Sequence, residues 1–192
     1  GRVDLEFILR AFSNGQDGVF IGGCKLDECN YVTQGNYDAF AVVKICKKMM
    51  QRIGVNPKRL RLQFMSAADG GILAEATDDF VKEVKTLGPL GEDEDLDKDE
   101  LNFRLDAARQ LVPYIKLVER ERLRIPVKTK DAYETFFSSD EFDRLFEELI
   151  GEQLAVFEAS CCFIQPVASA DRDGNRVLIG PLRHIEIPQL AV

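Results

Sequence analysis

Asp17-Gly18-Val19-Phe20-Ile21-Gly22-Gly23-Cys24-Lys25-Leu26-Asp27-Glu28-Cys29-Asn30-Tyr31 is the stretch on which the fold turns. Its apolar opening, Gly18 to Ile21, predicts a short buried strand. The strand runs into Gly22-Gly23, where the missing Cβ atoms let other groups approach the backbone closely. Cys24 and Cys29 follow. In open α/β sheets ligands gather where the chain leaves the carboxyl ends of strands. Thiols in that place point to a cofactor or redox site. Their C-x4-C spacing is also the first half of a plant-type iron–sulfur signature, which needs two more cysteines.

On the N-terminal side, Val3, Phe7, Ile8, Ala11 and Phe12 predict an amphipathic helix that stops at Asn14-Gly15. On the C-terminal side, Asn36 to Ile53 predicts a second helix, with Ala39, Val42, Val43, Cys46, Met49, Met50 and Ile53 on its apolar face. Cys46 on that face reads as a buried, inert thiol. The opposite face carries Lys44, Lys47, Lys48 and Arg52, with Lys58, Arg59 and Arg61 soon after. It reads either as a solvated helix face or as a docking face for an acidic partner. Asn56-Pro57 breaks the helix, and Leu60, Leu62, Phe64 and Met65 predict a second strand. Ser66 to Gly71 reads as the next turn. The helix after it carries Leu73, Ala76, Phe80, Val84 and Leu87 and stops at Gly88-Pro89.

The order helix, strand, helix, strand, helix predicts an α/β fold with parallel strands joined by right-handed crossovers. Two strands are too few for a parallel sheet covered on both faces. The expectation is therefore the C-terminal half of a doubly wound parallel-sheet domain. Its other strands would lie upstream or come from the C-terminal region.

Composition changes after residue 90. Between Glu92 and Glu100 stand seven acids and one base, Lys98, so residues 91–100 read as an extended acidic linker between a domain at 1–90 and a region at 101–192. That last region reads as α+β. Leu101, Leu105, Ala108, Leu111, Val112, Ile115 and Val118 predict one long helix kinked at Pro113. Ser138-Ser139-Asp140-Glu141 reads as a capping box opening a further helix. Leu154 to Val167 and Arg176 to Ile187 read as strands of a hairpin joined by Asp171-Arg172-Asp173-Gly174-Asn175. That turn resembles the start of a calcium loop but lacks the closing acid. Cys161-Cys162 on a strand would point to opposite faces. His184, the only histidine, reads as a surface or strand-edge residue.

The 192 residues are 45% hydrophobic and 30% charged, an ordinary globular composition. A net charge of −8 argues against general affinity for nucleic acid or anionic membrane. No apolar run reaches membrane-spanning length. The opening Gly1-Arg2-Val3-Asp4, with no initiator Met or signal pattern, reads as an excised or processed piece. Five cysteines without framework spacing suit a reducing compartment, and the expectation is the cytoplasm.

Residues 1 to about 90 resemble the delta subunit of methyl-viologen-reducing nickel–iron hydrogenase. The resemblance rests on Gly1-Arg2-Val3-Asp4-Leu5-Glu6-Phe7-Ile8-Leu9-Arg10-Ala11-Phe12, on Asp17 to Cys24 with Cys29, on Gly35-Asn36-Tyr37, on Arg59 to Ala67, and on Asp78 to Pro89. It implies an α/β electron carrier with a two-iron two-sulfur cluster. Such a carrier takes electrons from a hydrogenase or formate dehydrogenase to the flavin subunit of a heterodisulfide reductase complex. On this resemblance Cys24 and Cys29 are cluster ligands or close neighbours, and Gly22 and Gly23 flank the cofactor. The family carries further cysteines upstream, and often a histidine where this chain has Asn30. The resemblance does not reach residues 101–192, whose role the sequence leaves open.

The leading expectation is thus a non-catalytic electron-transfer domain of an oxidoreductase complex. One alternative is a protein-interaction or assembly module with no cluster of its own, in which Lys44, Lys47 and Lys48 matter more than the cysteines. A dithiol oxidoreductase using Cys24 and Cys29 is a third reading.

Overall fold

Strands β1 (Val19–Cys24) and β2 (Leu60–Met65) pair in parallel, with Val19 beside Leu60 and Cys24 beside Met65. The computed structural model in which they are seen describes residues 3–31 and 35–155, with the backbone of two short strands at 168–170 and 176–178. Side chains alternate across the parallel pair. On one face Phe64 lies 5.9 Å from Phe40 of α2 (Asn36–Arg52). On the other, Phe20 lies 5.8 Å from Phe80 of α3 (Gly70–Leu87), and Arg61 donates to the Ala76 carbonyl at 3.1 Å. A helix therefore covers each face of a parallel sheet, the mixed α/β arrangement that the element order predicts.

The first strand runs further than its apolar residues suggest. Gly22, Gly23 and Cys24 lie on β1 rather than beyond it. Strands β3 (Ala168–Ala170) and β4 (Arg176–Leu178) pair antiparallel, in a sheet of their own. The second strand falls where the sequence reading starts one, but the first lies at 168–170, after the expected 154–167, and the pair does not extend the parallel sheet. Residues 152–155 are helical, which corrects a strand starting at Leu154. Cys161, Cys162, the turn at 171–175 and His184 lie outside the described residues.

Gly18 shows how closely α3 sits on the sheet. A Cβ there would stand 2.6 Å from Val84 Cγ2 and 3.0 Å from Phe80 Cζ. Gly18→Ala should lower stability by about 1–3 kcal/mol, the usual penalty for overpacking. A urea titration of the full chain reads this as a lower midpoint at unchanged slope.

Helix α2 is the axis of the core. Cys46, Met49, Met50 and Ile53 are buried along it, as its apolar stripe requires. Helix α1 (Leu5–Ser13) is capped by Asp4, whose carboxylate accepts from the Glu6 N–H at 2.9 Å. It buries Leu5, Ile8, Leu9 and Phe12. Phe7, expected on the apolar face, is 65% exposed. Spacing of i, i+3, i+4, i+7 puts the stripe one residue away from it.

Two helices replace the single kinked one. Helix α4 (Lys98–Gln110) ends before Leu111 and α5 (Val112–Glu121) begins after it, with Pro113 in the first turn of α5. A proline has no N–H to give the preceding turn, but it suits a helix start. Helix α6 (Lys130–Phe137), capped by Thr129, has no counterpart in the sequence reading. Helix α7 (Asp140–Phe146) is capped by Ser139 alone, without the reciprocal acid of a capping box, and runs into a π-helical turn at Glu147–Gly151. One hydrophobic core joins all these helices to α1, α2 and the sheet, running without a break across residue 100. No helix among the described residues is long and apolar enough to cross a membrane.

The stretch read as an extended linker folds back in turns. Asp97 caps α4 through the Asp99 and Glu100 N–H groups, each at 2.9 Å, and the Glu94 side chain is 1% exposed against Arg59. Two cations of the basic face of α2 meet acids within the chain: Lys48 lies 2.7 Å from Asp143 and Arg52 3.3 Å from Glu147. Both pairs are partly solvated, and each contributes at most about 1 kcal/mol.

Candidate functional site

Cys24 closes β1, and the chain then turns through Lys25 to Tyr31 towards the N-terminus of α2. Two features shape this loop. Glu28 donates its N–H to the Lys25 carbonyl at 3.1 Å, and Asp27 takes a positive φ of 69°. An acid tolerates that left-handed position better than most side chains. The start of α2 then ties the loop down. The Asn36 amide donates to the carbonyls of both Cys24, at 3.1 Å, and Lys25. The Tyr37 hydroxyl donates to Asp27 at 2.6 Å, and burial together with the Asp27 charge keeps that hydroxyl protonated.

The result is a sulfur at a helix N-terminus. Cys29 accepts hydrogen bonds from the backbone N–H groups of Tyr31 and Asn36, and these hold its thiol below the usual range; the Cys24 thiol, also within hydrogen-bond reach, adds to the effect. Asn36 is the first residue of α2, so its N–H carries part of the positive end of the helix dipole. Gly35 makes the approach possible. A Cβ there would stand 2.6 Å from the Cys29 sulfur and closer still to the Tyr31 carbonyl oxygen.

A shallow cleft of about 380 Å³ opens beside the pair, at the carboxyl ends of both strands. Gly22, Gly23 and Cys24 line one side; Met65, Ser66 and Asp69, with Leu73 of α3, line the other. Lys25 bridges the two loops by its 2.8 Å ion pair with Asp69, whose carboxylate also accepts from the Ser66 N–H at 2.9 Å. Cys24 is exposed and Cys29 half-buried, so both can be reached from outside. Cys46 is fully buried on α2, where burial pushes its thiol up to about 12. Among the described residues, no group of three or more cysteine, histidine or acidic side chains is placed to hold a metal. The four residues singled out in the sequence thus come together. Asp27, Gly35, Asn36 and Tyr37, which hold them, give a fainter signal: a Gly-Asn-Tyr run six residues after Cys29, just where an amphipathic helix begins.

Residues 1–88 match the family described as methyl-viologen-reducing hydrogenase, delta subunit. The iron-sulfur subunit of an F420-non-reducing hydrogenase from Methanopyrus kandleri is 37% identical over 90 residues, covering 47% of this chain and 67% of that one. The chain belongs to this delta-subunit family. The corresponding iron-sulfur protein of Archaeoglobus profundus is 42% identical over 90 residues, 47% of this chain and 65% of that protein. One component of the ferredoxin/F420H2-dependent CoB-CoM heterodisulfide reductase of Methanosarcina acetivorans is 44% identical over 90 residues, 47% of this chain but only 11% of that protein's length. The delta-subunit match ends at Gly88, where α3 stops. The two cysteines, the glycines and the Gly35-Asn36-Tyr37 clamp all fall inside this stretch. Helices α4 to α7 fall outside it.

Proposed function

We propose that the chain is an electron-transfer component of an oxidoreductase complex, with Cys24 and Cys29 as two of the four ligands of a two-iron two-sulfur cluster. The observation that carries this reading is the Cys24–Cys29 pair at the strand end, with two backbone donors turned on one of its sulfurs. The remaining two ligands are not among the described residues, so the fit is to half of a ligand set. Such a cluster, when bound, supplies one-electron chemistry. The chain's own part is to lower the Cys29 thiol, to draw charge from its sulfur through the Tyr31 and Asn36 N–H groups, and to leave open backbone at Gly22 and Gly23. Partners of this class are a hydrogenase or formate dehydrogenase on the donor side and a heterodisulfide-reductase-like flavoprotein on the acceptor side, in the cytoplasm. The names of the relatives support the hydrogenase and the heterodisulfide reductase.

A second reading keeps the pair as thiols in an assembly module without a cluster. It is favoured by the count of two converging sulfurs among the described residues, where a cluster needs four. Anaerobic reconstitution of the protein with iron and sulfide separates the two. A rhombic two-iron signal in the reduced protein, lost in both Cys24→Ser and Cys29→Ser, is the expected result. No bound iron, or a signal indifferent to both substitutions, would leave the assembly module standing.

A further inference from the structure

A second, larger cleft lies away from the cysteines. It has a volume of about 650 Å³, within the range of small-molecule sites, and opens between the start of α1, the first turns of α2, the end of α5 and the chain leading into α6. Its floor is apolar: Ala41 and Val42 of α2, Leu123 and Ile125 after α5, and the Tyr133 ring. Along its mouth stand four cations at intervals of four residues, Lys116, Arg120, Arg124 and Lys128. In a chain of net charge −8 such a row stands out.

The acids in the cleft leave part of this charge uncovered. Asp4 accepts from Lys116 at 2.6 Å and Asp38 from Lys128 at 3.0 Å. Arg120 pairs with Glu121, in a contact that is 70% and 54% exposed and correspondingly weak. Arg124 is exposed at the rim. The remaining acid, Glu119, faces Asp4 of α1 and Asp38 of α2 as well as Lys116 on its own helix, with Arg120, Arg124, Lys128 and Tyr133 around the same cleft. Burial, then the charges of Asp38 and Asp4, push its carboxyl up to about 7 against the pull of Lys116. Near neutral pH roughly half of the molecules therefore carry the proton there, and in these the carboxyl can donate a hydrogen bond rather than repel an anion.

We propose that this cleft binds a small organic anion with an apolar or aromatic body. The charged end sits between Arg120 and Arg124, and the body lies on Leu123, Ile125 and Tyr133. Most of the lining comes from α5, α6 and the chain between them, beyond residue 88, so the site does not rest on the cluster reading. It is nonetheless close to the cysteine loop. The Tyr133 ring packs at a tilt against Tyr37, centroids 4.7 Å apart, and the Tyr37 hydroxyl holds Asp27.

The test uses the full chain and the fluorescent anion 8-anilinonaphthalene-1-sulfonate. Benzoate should displace the probe and benzyl alcohol should not. Arg120→Glu with Arg124→Glu, both at exposed positions, should weaken binding about tenfold or more. Val81→Lys, at an exposed apolar position of α3 that lines neither cleft, should leave binding unchanged. Affinity should rise from about pH 8 to about pH 6 as Glu119 takes up its proton, and Glu119→Gln should flatten that dependence. Displacement by benzyl alcohol, unchanged affinity after the double charge reversal, or loss of binding in Val81→Lys would each overturn the assignment.

Discussion

Arg59→Met should destabilise the fold by roughly 3–5 kcal/mol, the range for removing one partner of a buried ion pair. The Arg59 and Glu94 side chains are 0% and 1% exposed. Their contact is two-pronged, with Nε to Oε1 at 2.6 Å and Nη2 to Oε2 at 3.0 Å. The same guanidinium donates to the carbonyls of Asp17, Leu87, Gly88 and Pro89, between 2.9 and 3.2 Å. It thus pins the start of β1, the end of α3 and the acidic turn at once. Methionine would fill the volume but leave a buried carboxylate and four carbonyls without this donor. Urea midpoints of the full chain measure the loss, and the double variant Arg59→Met with Glu94→Leu should recover part of it.

Acid should shrink this effect. Burial alone would raise the Glu94 carboxyl, but Arg59 and the N–H groups of Asn56 and Gly91 outweigh it and hold it below the ordinary value. A carboxyl lowered in the folded state stabilises above its unfolded value, and that contribution fades as pH falls through the folded value. In Arg59→Met the burial remains and the guanidinium does not, so protonation relieves the variant. The stability gap between parent and variant should therefore narrow below the ordinary glutamate range. A gap that stays constant with pH would mean that the carboxylate is not the damaged group.

This pair also marks the limit of what the sequence discloses. Averaged over its length, Glu92 to Glu100 looks like solvent-loving chain, and nothing local separates Glu94 from its neighbours. Its burial depends on an arginine 35 positions earlier. Periodicity works where one helix face meets one core, which is why α2 emerges nearly to the residue. It fails where the register decides between adjacent apolar residues, as with Ile8 and Phe7. It also fails for α6, a helix of eight residues held by ring contacts with Phe40 of α2 and Phe142 of α7. The cysteine pair is legible because glycines and thiols at a strand end are unusual company. The clamp from α2 is less so, since a single asparagine at a helix start has many other uses.

The steric part of that clamp can be tested without iron. Cys29 sits below the usual thiol range, whereas Cys46, pushed up to about 12, is a thiolate in roughly one molecule in ten thousand at about pH 8. In the folded parent, alkylation followed by peptide mapping should therefore label Cys29 at least about a thousandfold faster than Cys46. Gly35→Ala places a methyl group where the Cys29 sulfur and the Tyr31 carbonyl oxygen already stand. One of them must move, and either shift pulls the sulfur away from the Tyr31 and Asn36 donors. The pH midpoint of Cys29 labelling should then rise, while Cys46 stays protected as long as the core is intact. The substitution should also lower stability by about 1–3 kcal/mol, as overpacking does. Cys46 serves as the internal gauge: its labelling reports unfolding, so a slower Cys29 with an unchanged Cys46 isolates the local effect. An unaltered Cys29 profile in Gly35→Ala would mean that the two backbone donors do not set its reactivity. The thiol would then owe its character to Cys24 alone, and the case for a preformed ligand pair at the head of α2 would fall with it.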